Sequence, residues 1–126
     1  MELNLPDVVA EVREAFDRYE AALMANDIEG LDAAFWSSAH TIRYGVNEVL
    51  HGIEAIRAFR TGRPAVGLTR VLDHTVITTF GRDTATASTL FRRDTAPGKL
   101  GRQMQTWIRL PEGWRVVAAH VSLIDG

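Results

Sequence analysis

The chain has 126 residues, a formal net charge of −2 and no cysteine, with 46% hydrophobic and 24% charged residues. These values predict one soluble domain over residues 1–126, and they exclude disulfides, thiolate metal sites and cysteine nucleophiles. The slight acidity argues against a nucleic-acid partner. No stretch approaches the roughly 18 apolar residues of a membrane span, and the N-terminus does not read as a signal peptide. We therefore expect a cytoplasmic protein without a membrane partner.

The first half of the sequence has helical periodicity. Apolar side chains recur every three or four residues, at Val8, Val12, Phe16, Tyr19 and Leu23. This spacing predicts an amphipathic helix over 7–25 that begins at Pro6. Asp27 is placed to cap a second helix over Ile28–Trp36, and a third helix is predicted from Ile53 to Gly62.

The second half alternates with the period of a strand. Two long hairpins are predicted, one from strands over 69–79 and 83–93, the other from strands over 101–110 and 113–123. A shorter hairpin over 40–51 precedes the third helix. Helices first and antiparallel strands later indicate an α+β fold.

The register of the last hairpin decides which side chains share a face. We predict that Leu110 faces Trp114 across the turn. That register pairs Met104 with His120 and places Gln105 on the opposite face, so at most one of Gln105 and His120 enters a pocket unless a bulge intervenes. Neither face is uniformly polar, which predicts helices over one face and a second subunit over the other.

The basic residues are almost all arginine: thirteen arginines stand against the single Lys99. Genomic base composition alone can produce this bias. The alternative is an anionic substrate, because a guanidinium pairs with a carboxylate through two parallel hydrogen bonds. Arg43 lies within a predicted strand, a costly position for a charge unless that face lines a polar cavity or the strand is an edge that reaches solvent.

Tyr19 is the first candidate for proton transfer. It lies on the apolar stripe of the first helix, so its ring points inward either as a core tyrosine or as a proton donor or acceptor at a pocket floor. A phenol is normally an acid at neutral pH, and a close guanidinium favours the phenolate.

Four residues are weaker candidates for substrate binding, each with a structural alternative: Trp36, Arg70, Gln105 and His120. We interpret Arg60 and Arg63 as structural residues, because a cation at the C-terminal end of a helix interacts favourably with the helix dipole. Asp73 and His74 are strand neighbours and should point to opposite faces. The histidines lack metal-ligand spacing and no phosphate loop occurs, so we expect neither a metal nor a cofactor.

Several short sequence motifs occur in a distinctive order along the chain: Phe35-Trp36, Arg43-Tyr44-Gly45 with Glu48, His51-Gly52, Phe59-Arg60, Arg63, GRQMQTW at 101–107 and GWRVVAAHVS at 113–122. Together they resemble the AtzH/HpxZ-like family of the SnoaL-like superfamily, which is related to nuclear transport factor two. The resemblance implies three N-terminal helices packed in the concave face of a strongly curved antiparallel or mixed sheet. It also implies a homodimer formed through the sheet face.

The resemblance further implies a decarboxylating amidohydrolase of nitrogen-compound catabolism, such as that of cyanuric acid, with no cofactor. Its substrate is an N-carboxy-urea such as 1,3-dicarboxyurea, converted to allophanate with loss of carbon dioxide and ammonia. The family's catalytic tyrosine and arginine fall on Tyr19 and Arg43. The alternative is a non-catalytic accessory or ligand-binding subunit that supports an amidase in an oxalurate-type pathway.

The resemblance leaves two points open. Tyr19 either protonates the substrate nitrogen or, as phenolate, activates water for amide hydrolysis, while Arg43 holds a carboxylate. Leu90 and Met104 stand where relatives carry polar residues. Both changes are harmless if they lie on the dimer face, whereas Leu90 in the pocket would alter the substrate range.

Overall fold

A computed structural model describes residues Met1–Gly126 as three helices and six strands. The helices are α1 (Pro6–Met24), α2 (Ile28–Ala34) and α3 (Ile53–Gly62). The strands are β1 (Ile42–Tyr44), β2 (Val49–His51), β3 (Val71–Phe80), β4 (Thr84–Arg92), β5 (Lys99–Leu110) and β6 (Gly113–Asp125). No helix among them combines the length and the apolar character needed to cross a membrane.

The helix boundaries follow the predicted signals, with one difference. Pro6 is the first residue of α1, and the Asp27 carboxylate accepts a hydrogen bond from the Gly30 N–H at 3.1 Å, as a cap of α2 should. Helix α2 ends at Ala34, whereas the prediction extended it to Trp36. Phe35 is already extended and bridges to Val116 of β6, which removes these residues from the helix.

The strands form one mixed sheet in the order β2-β1-β6-β5-β4-β3. Only β1 and β6 run parallel; the other neighbours are antiparallel. Register shifts interrupt β3 and the β5–β6 pair, and such bulges bend a sheet and increase its twist. The predicted α+β class, with three helices on a mixed sheet, is confirmed.

The β5–β6 hairpin corrects the predicted register near its turn. Leu110 pairs with Gly113, so the predicted pairing of Leu110 with Trp114 is wrong. A bulge opposite Thr106 and Trp107 absorbs one residue of β6 and restores the predicted register beyond it, where Met104 pairs with His120.

The two faces of the sheet differ in burial. The inner face packs against the helices and includes the buried residues Ala85, Ala87, Phe91, Gln103, Gln105, Trp107, Val116, Ala119 and Val121. Met104 and His120 lie on the outer face, and Leu90 is half-buried on the same face. The two departures from the family pattern therefore do not face the helices.

One local prediction about β3 is wrong. Asp73 and His74 do not alternate as strand neighbours, because the strand bulges after Asp73 and His74 adopts a left-handed backbone conformation with φ of 50°. The His74 ring and the Asp73 carboxylate contact each other at 3.1 Å on the surface.

Candidate active site

One transverse row of the sheet carries the polar side chains of the candidate site. The row runs through Ala87 of β4, Gln105 of β5, Ala119 of β6 and Arg43 of β1, which are paired in register. Gln105 and Arg43 alternate with alanines, whose methyl groups leave room between the sheet and α1. All four side chains are buried.

Tyr19 reaches this region from α1. Its side chain is 3% exposed and belongs to the same core cluster as Trp107 and Ala119. The ring lies 5.9 Å from the Phe35 ring. The helix thus presents a phenol to the row that contains Arg43.

Arg43 is held by its neighbours rather than by solvent. Strand β1 lies between β2 and β6, so the edge-strand alternative for this residue is wrong. The Glu48 carboxylate accepts a hydrogen bond from Arg43 Nη1 at 2.8 Å, and the guanidinium lies 5.3 Å from the Phe59 ring. One edge of the guanidinium is therefore fixed, and its remaining N–H groups are free of carboxylate partners.

Arg70 belongs to an internal ion pair. Its Nε and Nη2 donate to the two carboxylate oxygens of Glu20, at 3.1 and 2.5 Å, and Nη2 also donates to Gln103 at 2.9 Å. The Arg70 and Glu20 side chains are 1% and 7% exposed. The carboxylate partner of Arg70 is therefore Glu20 of the protein itself, and not a substrate.

Arg60 lies in the last turn of α3, where the sequence places it, and its side chain is buried. It is 3% exposed, its guanidinium lies 4.2 Å from the Phe35 ring, and Nη1 donates to the Leu31 carbonyl at 3.3 Å. Burial lowers the pKa of Arg60 to about 10. Tyr19 and Arg60 both pack near the Phe35 ring.

Gln105 is an oriented hydrogen-bond donor. The indole Nε1 of Trp107 donates to Gln105 Oε1 at 3.1 Å, and an indole nitrogen can only donate, so the amide orientation is fixed. Gln105 Nε2 is buried and has no partner in the protein. An unpaired buried donor of this kind is costly, and a ligand oxygen would satisfy it.

A cavity of about 360 Å³ opens at the Arg43 end of the row, and neither Tyr19 nor Gln105 lines it. Its walls include three arginines, Arg43, Arg63 and Arg93, with Glu48 and Phe59. A larger groove of about 710 Å³ lies between the first two helices and the β5–β6 turn. That groove is mainly apolar and contains none of these three arginines, but Tyr19 is among its lining residues. Tyr19 thus borders the larger groove, whereas Arg43 lines the cationic cavity.

Two predicted substrate contacts lie elsewhere. His120 is exposed on the outer face, with its ring 5.9 Å from that of Tyr44. Trp36 is half-buried, stacks 6.2 Å from His40, and lines a shallow groove of about 500 Å³ beside α2. Tyr19 shares a core cluster with Ala119, and Ala119 lies between Arg43 and Gln105 on the sheet. The cavity adds Arg63, Arg93 and Glu48, which the sequence did not indicate as substrate contacts. No group of three or more histidines and carboxylates is placed to hold a metal ion.

Comparison with known proteins identifies the family. The family model described as AtzH-like matches residues 1–126. A solved structure of a protein with unknown function from Pectobacterium atrosepticum SCRI1043 is 58% identical, with a TM-score of 0.95 over 98% of this chain and 95% of that chain. A cystatin-like fold protein from Burkholderia xenovorans LB400 is 57% identical, with a TM-score of 0.96 over 100% of this chain and 98% of that chain.

A more distant structure shares the fold alone. An NTF2-like protein of unknown function from Pseudomonas putida KT2440 is 20% identical, with a TM-score of 0.81 over 94% of this chain and 87% of that chain. The search of curated proteins gives no match. The resemblance found in the sequence is confirmed: the chain belongs to the AtzH-like family and has the NTF2-like, cystatin-like fold.

Proposed function

We propose that this protein decarboxylates a small N-carboxy-urea anion, with 1,3-dicarboxyurea as the substrate and allophanate as the product. The observation that carries the proposal is a cavity lined by Arg43, Arg63 and Arg93 whose N–H groups include unpaired buried donors. The buried Tyr19 packs in the core cluster that contains Ala119, the strand neighbour of Arg43. Such a site fits a substrate that is rich in acceptor oxygens and carries negative charge.

The reaction needs one proton and no cofactor. The bond between nitrogen and the departing carboxylate breaks, its electron pair stays on nitrogen, and that nitrogen takes the proton of the Tyr19 hydroxyl. Carbon dioxide leaves, and Tyr19 is reprotonated from solvent. The dianion and one proton thus become the allophanate monoanion and carbon dioxide.

This balance corrects one expectation from the sequence. Allophanate keeps both nitrogens of 1,3-dicarboxyurea, so decarboxylation releases no ammonia. Ammonia would appear only if the central amide were hydrolysed, which is the reaction expected of a Tyr19 phenolate that activates water. Product analysis therefore separates the two roles of Tyr19.

Arg43 and Gln105 have complementary roles in this proposal. The free N–H groups of Arg43 bind a substrate carboxylate, while Glu48 keeps the guanidinium in place. Gln105 Nε2 donates to the urea carbonyl oxygen, where negative charge accumulates as the carbon–nitrogen bond breaks. A donor already aimed at that oxygen lowers the barrier without reorganising during the reaction.

We also propose a homodimer formed through the outer face of the sheet. The outer face of the sheet exposes three large apolar side chains, Val71, Val76 and Met104, at 73%, 54% and 52%. A second copy of the chain would cover them. Light scattering should give twice the monomer mass, and a Met104→Glu variant should lower it; a monomeric wild type would contradict this assembly.

The experiment that tests the function measures carbon dioxide, ammonia and allophanate from 1,3-dicarboxyurea, beside the same measurements on oxalurate. We expect carbon dioxide and allophanate in equal amounts, without ammonia and without turnover of oxalurate. Binding of 1,3-dicarboxyurea without any product would favour the accessory-subunit alternative and overturn the proposal.

A further inference from the structure

Two arginines outside the row that contains Arg43 line the same cavity as Arg43. Arg63 directly follows α3, and Arg93 directly follows β4, and both line the cavity of about 360 Å³ with Arg43. Glu48 is the one carboxylate among its lining residues, and it pairs with Arg43. Neither Arg63 nor Arg93 has an acidic partner in the protein.

Three nitrogens of these two half-buried arginines are buried without hydrogen-bond acceptors. Arg63 Nε and Nη2 and Arg93 Nε have no hydrogen-bond partner. The guanidiniums lie against aromatic rings, Arg63 at 5.8 Å from Phe59 and Arg93 at 4.9 Å from Phe91. Burial lowers the pKa of both groups, and the other arginines lower it further by repulsion. A protein that leaves such donors unsatisfied is built for an anion that satisfies them.

We propose that Arg63 and Arg93 form a clamp for the second carboxylate of a dianionic substrate, the carboxylate that the reaction does not remove. The assignment of the retained carboxylate rests on the proposed function; the preference for a dianion rests on the cavity alone. The cavity is lined by three guanidiniums and one carboxylate, which gives it a net charge of +2. A ligand with two negative charges would balance it.

The chemistry indicates which carboxylate the clamp holds. A departing carboxylate becomes neutral carbon dioxide, so an ion pair with it stabilises the reactant more than the transition state. A carboxylate that persists into the product keeps its ion pair throughout, and the contact then fixes the substrate without slowing the reaction. The same clamp discriminates against monoanions such as oxalurate, which leave one set of donors unpaired.

The test compares two carboxylates that the enzyme cannot turn over. Glutarate carries two carboxylates separated by three atoms, as in 1,3-dicarboxyurea, and butyrate carries one. Isothermal titration calorimetry of the wild type should show glutarate binding at least about tenfold more tightly than butyrate, because charge-assisted hydrogen bonds are worth that much. In Arg63→Gln and Arg93→Gln this ratio should fall below about threefold.

The matched control is Arg109→Gln. Arg109 is 44% exposed and pairs with Asp83 beside the β3–β4 turn, away from the cavity, so this variant should keep the wild-type ratio. A ratio unchanged in both cavity variants would overturn the clamp.

Thermal unfolding without ligand provides a second readout. Arg93→Gln removes a half-buried cation that has no acidic partner, so its midpoint should equal or exceed that of the wild type. A clearly lower midpoint would instead assign Arg93 a structural role and contradict the clamp. Glutarate selectivity without turnover would leave the clamp standing while the proposed function fails, and turnover without selectivity would do the reverse.

Discussion

Arg70 and Glu20 form a buried two-point ion pair that connects the segment before β3 to α1, one residue after Tyr19 on the helix. Gln103 completes the pair by accepting a further hydrogen bond from Arg70. This pair supports the helix turn that carries Tyr19, and it neutralises one of the arginines around the site.

Removing one partner of this pair should destabilise the fold. Glu20→Gln leaves the Arg70 charge buried and uncompensated, which we expect to lower the free energy of unfolding by about 3 kcal/mol. Urea denaturation measures the change. Glu14→Gln removes an exposed ion pair with Arg18 on the same helix and should cost less than about 0.5 kcal/mol. Equal effects of the two variants would show that the buried pair has no special role.

Replacing Gln105 by Glu should remove a hydrogen-bond donor from the site. The new carboxylate can still accept the Trp107 hydrogen bond, but it replaces the free N–H₂ with an acceptor and adds a buried negative charge on the sheet row that contains Arg43. We expect kcat/KM to fall about 100-fold, the effect of losing one preorganised donor. Retained activity would remove Gln105 from the site.

Arg43→Lys tests geometry against charge. Lysine keeps the positive charge but lacks the planar fork that binds a carboxylate through two hydrogen bonds. We expect kcat/KM to fall roughly 10- to 100-fold, corresponding to one lost charge-assisted hydrogen bond. Circular dichroism should remain that of the wild type. A variant as active as the wild type would show that Arg43 acts only through its charge.

The fold was largely predictable from the sequence because its patterns are local. The apolar stripe of α1, the Asp27 cap and the alternation along β4 and β5 each depend on neighbouring residues. The β5–β6 register was predicted one residue out near the turn, because a bulge depends on packing across the hairpin. The parallel pairing of β1 with β6 brings distant segments together and leaves no periodic trace in the sequence.

The candidate site was only partly predictable for the same reason. Tyr19 and Arg43 were selected through the family resemblance, and Gln105 through the register of the last hairpin. Arg63 and Arg93 stand just beyond an element's end, where arginines are usually solvated. Their burial and lack of acceptors arise from the tertiary packing around Phe59 and Phe91, which no local pattern specifies.

The most direct test of the account is the turnover of 1,3-dicarboxyurea by Tyr19→Phe. Phenylalanine keeps the buried ring beside Phe35 and removes only the hydroxyl. We predict a folded variant that binds glutarate like the wild type but forms allophanate at least about 1,000-fold more slowly, a loss within the range of general acid catalysis. A rate of allophanate formation equal to that of the wild type would contradict the assignment of Tyr19 as the proton donor.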